Sequence, residues 1–255
     1  MELRALVLSG FGFNCEAESK FAVEKAGGKA DIVHINKIID NPAQLQNYNL
    51  LYIPGGFSFG DDLGSGKVVA NKLRYKVSDH LLDFIKENKL VLGVCNGFQI
   101  LVKLGLLPVP DFNQRITITN NTSGRFEDRW VYLKTNPQSP CIFTKNTDML
   151  MLPVRHGEGR VLAHEQELHR ITAENLHTLQ YTDASGKLAG YPYNPNGSML
   201  NIAGLCDPSG RILGMMPHPE AFHSVENHPS WTFGNVREAQ GLRFFKNALE
   251  YLAPL

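Results

Sequence analysis

Cys95 lies in Gly93-Val94-Cys95-Asn96-Gly97, directly after the apolar run Leu90-Val91-Leu92-Gly93-Val94 and directly before Gln99, Ile100, Leu101 and Leu104, which fall at helical spacing. A nucleophile held between glycines at a strand-to-helix turn is an elbow. The sharp turn forces strained dihedrals on the central residue, and the glycines keep neighbouring side chains out of the crossing. The thiol is then presented at the edge of a sheet, beside free backbone N–H groups and the positive end of a helix dipole, both of which favour thiolate at neutral pH. The chemistry expected of such a group is acyl transfer.

Acyl transfer by cysteine needs a base and a group that orients the base. Met216-Pro217-His218-Pro219-Glu220 follows a strand-like run at 211–216, and its two prolines stiffen the loop around the imidazole. Alone, this H-x-E is equally a surface loop or half of a metal site with His223 and His228. Beside the elbow it reads as a base, His218, with its carboxylate, Glu220. Gly55-Gly56 ends another apolar run; an exposed backbone N–H of this pair, partnered by that of Asn96, is expected to face an oxyanion next to Cys95, the alternative being a plain turn. A phosphate-loop reading of 55–67 fails, because Asp61 and Val68 stand where Walker A needs glycine and Ser or Thr. Cys15, Cys141 and Cys206 lack the elbow's context and are read as core cysteines.

These groups need a scaffold that brings strand ends together. The first hundred residues alternate short β-branched runs with amphipathic ones, the pattern of a parallel sheet covered on both faces. Strands are predicted at 2–8, 30–35, 50–53 and 90–94. A first helix is predicted to be capped by Asn14 and to stop at Gly27-Gly28, and a second to cover 79–87. From Asn113 onward, strand-like segments near 129–135, 148–154, 177–183, 200–206 and 211–216 indicate added mixed sheet, closed by a helix over 236–252. The reading is one α/β domain spanning 1–255.

Twenty-five basic and 25 acidic residues leave no net field to gather nucleic acid or an anionic membrane. The expected ligand is small, or a protein. The chain passes from Met1 straight into a strand with no leader pattern and no membrane-length apolar run, which gives a cytoplasmic expectation. The four cysteines are widely spaced with no C-x-x-C pair, so free thiols are expected.

Gly-Val-Cys-Asn-Gly-Phe-Gln at 93–99 together with Pro-His-Pro-Glu at 217–220 resembles the class I, or triad, glutamine amidotransferases, whose fold is flavodoxin-like. Pro-Gly-Gly-Phe-Ser-Phe-Gly-Asp at 54–61, Arg-Phe-Glu-Asp-Arg-Trp at 125–130, His-Gly-Glu-Gly at 156–159 and Tyr-Asn-Pro-Asn-Gly-Ser at 193–198 are similar to the branch of glutaminase subunits that serve phosphoribosylformylglycinamidine synthesis in the purine pathway. The resemblance implies that Cys95 attacks the glutamine side-chain amide, that His218 manages the protons and that Glu220 holds the imidazole. It also implies that Gly56 and Asn96 form the oxyanion hole, and that Gln99, Arg125, Phe126 and His156 help hold glutamine. It implies no cofactor or metal in this chain, ATP and Mg2+ on a separate synthetase partner, and a small accessory subunit completing a heteromeric complex. One departure is Gly64, where many relatives carry arginine.

Two other readings stay open at this level. Another class I amidotransferase or a cysteine hydrolase of similar fold would use the same Cys-His-Glu chemistry, and a binding subunit could keep the fold without activity.

Overall fold

The computed structural model describes residues 2–253. Its first half repeats strand and helix: β1 (Arg4–Ser9), α1 (Glu16–Lys25), β2 (Lys29–His34), α2 (Ile35–Asp40), β3 (Leu50–Ile53), α3 (Lys67–Lys86), β4 (Leu90–Val94) and α4 (Asn96–Leu104). Then come β5 (Ile116–Asn120), β6 (Glu127–Thr135), β7 (Met149–His156), β8 (Glu158–Ala163), α5 (Glu165–Ala173), β9 (His177–Thr182), β10 (Ile202–Cys206), β11 (Ile212–Met215) and α6 (Leu242–Leu252).

The large sheet has nine strands in the order β2-β1-β3-β4-β11-β10-β9-β6-β7. Its first five strands pair in parallel, which is the 2-1-3-4-5 order of flavodoxin-like folds with β11 in fifth place. The remaining strands extend the same sheet in antiparallel fashion, and β5 and β8 form a separate antiparallel ribbon. β3 and β4 are fully buried, as near-continuous apolar runs in a covered parallel sheet must be. Among the described residues no helix is long and apolar enough to cross a membrane.

Several predicted elements move. The helix expected at 79–87 is the end of a 20-residue helix, α3, whose earlier turns bury Val69, Ala70, Leu73 and Val77. Asn14 is not the cap of α1: Cys15 holds that position without a side-chain bond, and the Asn14 amide oxygen instead accepts from the Cys15 thiol. Ile35 leaves the second strand to open α2, with His34 accepting from the Asn36 N–H as its cap. The final helix begins at Leu242 rather than 236. Gly241 packs so tightly on the loop after β11 that a methyl group there would lie 1.9 Å from the Pro219 carbonyl oxygen, which fixes the chain's entry into α6.

This topology sets the carboxyl ends of β3, β4 and β11 side by side. Open α/β sheets bind ligands at those ends.

Candidate active site

Cys95 follows β4 with φ 52° and ψ −104°, a left-handed conformation that a side-chain-bearing residue adopts only when its surroundings enforce it. The enforcement is visible. The Cys95 N–H donates to the Met215 carbonyl at 2.8 Å, and α4 crosses β3 and β4 so closely that a Cβ on Gly97 would lie 1.9 Å from the Ile53 carbonyl oxygen. A Cβ on Gly93 would meet the Gly97 backbone at 2.7 Å. Both glycines of the elbow are therefore required by packing.

His218 stands at the end of neighbouring β11, its N–H donating to the Pro153 carbonyl at 2.9 Å. Its Nδ1 donates to Glu220 Oε1 at 2.6 Å, and Tyr52 donates its hydroxyl to Glu220 Oε2 at 3.1 Å. His218 and Glu220 are both buried, and His218 Nε2 has no hydrogen-bond partner among the described residues, which leaves it free for proton transfer. Burial pulls the imidazole toward neutrality. The Glu220 carboxylate and the nearby sulfurs of Cys15 and Cys95 outweigh that pull and raise its pKa well above the ordinary histidine value. Tyr52 is held a phenol well above its usual range, by burial first and by the Glu220 charge second.

The metal-site alternative does not assemble as read. His223 packs edge-on against Phe21, and His228 lies against Trp130 and Phe222, so neither joins His218.

A cleft of about 300 Å³ opens over the pair, lined by Cys95, His218, Gly56, Gln99, Phe126 and His156, and also by Asp61, Arg155 and Glu158. The N–H groups of Gly56 and Asn96 have no acceptor within the described residues, as oxyanion donors require. The Asn96 side chain ties the loop after β3 to α4, accepting from Ser58 N at 3.4 Å and donating to Gln99 Oε1 at 2.9 Å. The other end of the Gln99 amide donates to the Glu158 carbonyl, so Gln99 is a braced wall of the cleft.

His156 is also wall. Asn121 donates through Nδ2 to the carbonyls of Arg125 and His156, which turns its Oδ1 toward His156 Nδ1 at 3.1 Å and the Gly159 N–H at 3.0 Å. His156 therefore carries its proton on Nδ1, and its buried Nε2 has no partner among the described residues. Burial, helped by the charge on His218, lowers its pKa to about 3, so the ring is neutral. Arg125 departs from expectation. Its side chain is exposed and borders a separate groove with Thr122, Ser123 and Tyr191, because the turn that Asn121 braces faces it outward. Arg155, three residues before Glu158, lines the cleft instead.

Residues 2–252 match the family model of the CobB/CobQ-like glutamine amidotransferase domain. The chain belongs to that family. It is 43% identical to the phosphoribosylformylglycinamidine synthase subunit PurQ of Dehalococcoides mccartyi, over 98% of each chain. It is 42% identical to the subunit of the same name from Methanococcus maripaludis, over 97% of each. Among solved structures it is similar to a chain of PurLQS from Thermotoga maritima, with a TM-score of 0.75 and 29% identity, covering 99% of this chain and 100% of that one.

In this amidotransferase the cysteine inventory needs one correction. Cys141 and Cys206 are buried outside the cleft, but Cys15 lines it, and its sulfur, a His218 ring nitrogen and a Glu220 oxygen lie within 4.8 Å of one another. Residue type alone assigned Cys15 to the core. Its place comes from α1 starting against the loop after β11. The Cys15 thiol is raised above its ordinary pKa by burial, against the pull of His218, so it stays protonated and a poor nucleophile. A glutamine analogue carrying an electrophile is therefore expected to label Cys95 alone of the four, as read by peptide mass mapping. Labelling of Cys15 in its place would assign the nucleophile wrongly.

Proposed function

We propose that this chain is the glutaminase subunit of a phosphoribosylformylglycinamidine synthase, acting as a single cytoplasmic domain that releases ammonia from glutamine for a synthetase partner. The observation that carries the reading is the convergence of Cys95 and His218 in one cleft, with Glu220 buried behind the imidazole and bonded to it, in a chain that matches named subunits of that enzyme along almost its whole length.

The Cys95 sulfur attacks the side-chain amide carbon, and the resulting oxyanion is met by the N–H groups of Gly56 and Asn96. The His218 imidazolium gives its Nε2 proton to the departing nitrogen, leaving a γ-glutamyl thioester and ammonia. The neutral imidazole, with Nδ1–H still on Glu220, then takes a proton from water. The hydroxide opens the thioester, releasing glutamate and restoring the thiolate-imidazolium pair. Glutamine and water become glutamate and ammonia, with no cofactor from this chain. Phe126 borders the mouth opposite Phe57, their ring centres 6.2 Å apart, so the pair is placed to shield the thioester from bulk water.

The synthetase, with ATP and Mg2+, converts formylglycinamide ribonucleotide to the amidine, and a small accessory subunit completes the complex. The test is reconstitution. The chain mixed with synthetase and accessory subunit is expected to make amidine from glutamine, ATP, Mg2+ and formylglycinamide ribonucleotide, whereas the complex lacking this chain should need added ammonia. If glutamine supports synthesis equally without the chain, the assignment is wrong.

A further inference from the structure

Acyl transfer uses one thiol, yet the cleft holds two. Cys95 and Cys15 both line it, and both sulfurs flank His218 closely enough to favour its charged form. Cys15 has no part in the glutaminase steps, but it is firmly held. Its N–H donates to the Gly55 carbonyl at 3.4 Å, that of Asn14 donates to the same oxygen at 3.2 Å, and its thiol donates to Asn14 Oδ1 at 3.2 Å. These bonds set the sulfur beside the imidazole. Gly55 marks where the two converge, since a Cβ there would lie 2.7 Å from His218 Cε1 and 3.3 Å from Cys15 Sγ.

Sulfur and imidazole nitrogen together favour a soft or borderline cation. Cys15 Sγ, a His218 ring nitrogen and a Glu220 oxygen lie within 4.8 Å of one another. In a tetrahedral Zn2+ site, with Zn–S near roughly 2.3 Å and Zn–N near roughly 2.0 Å, neighbouring ligand atoms stand about 3.5 Å apart. A small closing of the side chains brings them into that range.

A second observation points to a ligand. His218 Nε2 is buried with no hydrogen-bond partner among the described residues, while Nδ1 is engaged by Glu220. A histidine that binds a metal through one ring nitrogen almost always has the other held in this way, by a carboxylate or carbonyl. Glu220 is in turn braced by Tyr52. The donor set is then two sulfurs and one imidazole nitrogen, with the carboxylate behind the ring and a fourth position for water. Charge permits occupancy. A divalent cation takes the place of two protons, one from the Cys15 thiol and one from the imidazolium, so the buried cluster keeps its net charge. Mg2+ and Ca2+ need shells of oxygen ligands, which this set does not supply.

We propose that Cys15, Cys95 and His218 form an inhibitory site for a thiophilic divalent cation of the Zn2+ class, which closes the cleft to glutamine by taking up both the nucleophile and its base. Binding of the cation is independent of the glutaminase reading above, and its inhibitory consequence rests on that reading.

The probe is Zn2+ itself, with Mg2+ as the comparison. The full chain is dialysed against buffered micromolar Zn2+, and glutamine hydrolysis and ammonia-dependent synthesis by the assembled complex are followed at the same free concentrations. Wild type is expected to hold the cation and to lose glutamine hydrolysis in competition with glutamine, with recovery on adding EDTA. Mg2+ at millimolar concentration should leave hydrolysis in place. Cys15→Ser keeps a donor for Asn14, so its turnover without Zn2+ should stay within about twofold of wild type, whereas its half-inhibiting Zn2+ concentration should rise at least about tenfold, with the bound cation lost on dialysis. If serine lowers turnover further than this, Cys15→Ala is carried through the same measurements. Wild type that holds no Zn2+, or Cys15 variants that hold it and are inhibited as wild type is, would overturn the site. So would ammonia-dependent synthesis falling in parallel with hydrolysis, which places the inhibition on the synthetase. A complex that binds Zn2+ through Cys15 yet hydrolyses no glutamine overturns the glutaminase reading and leaves the cation site standing.

Discussion

Replacing Cys95 by alanine is expected to reduce glutamine-dependent amidine synthesis by the assembled complex at least roughly a thousandfold, while synthesis from added ammonia stays within about twofold of wild type. The size of the first effect follows from the absence of a substitute. Cys15 shares the cleft, but it caps α1, and burial keeps its thiol protonated, so it cannot take over the attack. The second effect follows from packing. The Cys95 side chain is small and its backbone is set by Gly93, Gly97 and the bond from its N–H to the Met215 carbonyl, none of which alanine disturbs. Its side chain makes a long hydrogen bond to the Arg155 carbonyl at 3.5 Å. The elbow should therefore persist without its sulfur, and the complex should still assemble. Loss of ammonia-dependent synthesis together with the glutamine reaction would show that the cysteine holds structure instead.

What could be read from the sequence depended on how local each signal was. The elbow and Pro-His-Pro-Glu are short segments whose glycines and prolines dictate their own backbone, and each follows the strand that the reading gave it, β4 and β11, which the structure makes neighbours. The parallel half was legible for a similar reason, since a strand buried on both faces must be apolar throughout. Helix α3 was only half legible. Its buried positions from Val69 onward keep helical spacing, but they are interleaved with Lys72, Arg74, Tyr75 and Lys76, and its start at Gly66 carries no capping side chain. Helix α5 buries only Ile171, and the β5–β8 ribbon is partly solvated, so neither left a strong apolar pattern.

The functional residues that escaped the reading owe their place to contacts across long stretches of chain. Tyr52 reaches Glu220 over 168 residues, and Asn121 orients His156 over 35. Nothing at positions 52 or 121 marks either role. Gly64 is a converse case. A side chain there would begin 3.3 Å from the Lys103 ammonium, so a cation from α4 already borders that position.

Glu220→Gln is expected to lower the glutaminase kcat by about two to four orders of magnitude, with the nucleophile untouched. The carboxylate accepts from His218 Nδ1 and from Tyr52 at once. An amide can accept at only one end, so it turns an N–H toward either the ring or the phenol. Its loss of charge matters as much. Without the carboxylate, burial dominates at His218, and the imidazolium that must protonate the leaving nitrogen is disfavoured. The same change has a stability signature of known sign. In wild type the raised folded-state pKa contributes stability that is fully present below the unfolded value of roughly 6.5 and is lost as pH rises through the folded value. In the variant the folded value falls below the unfolded one, so the imidazole destabilises the fold as pH drops. Urea-unfolding midpoints measured across the neutral range should therefore separate most on the acid side and converge as pH rises. Parallel midpoints would mean that Glu220 positions the ring without setting its charge.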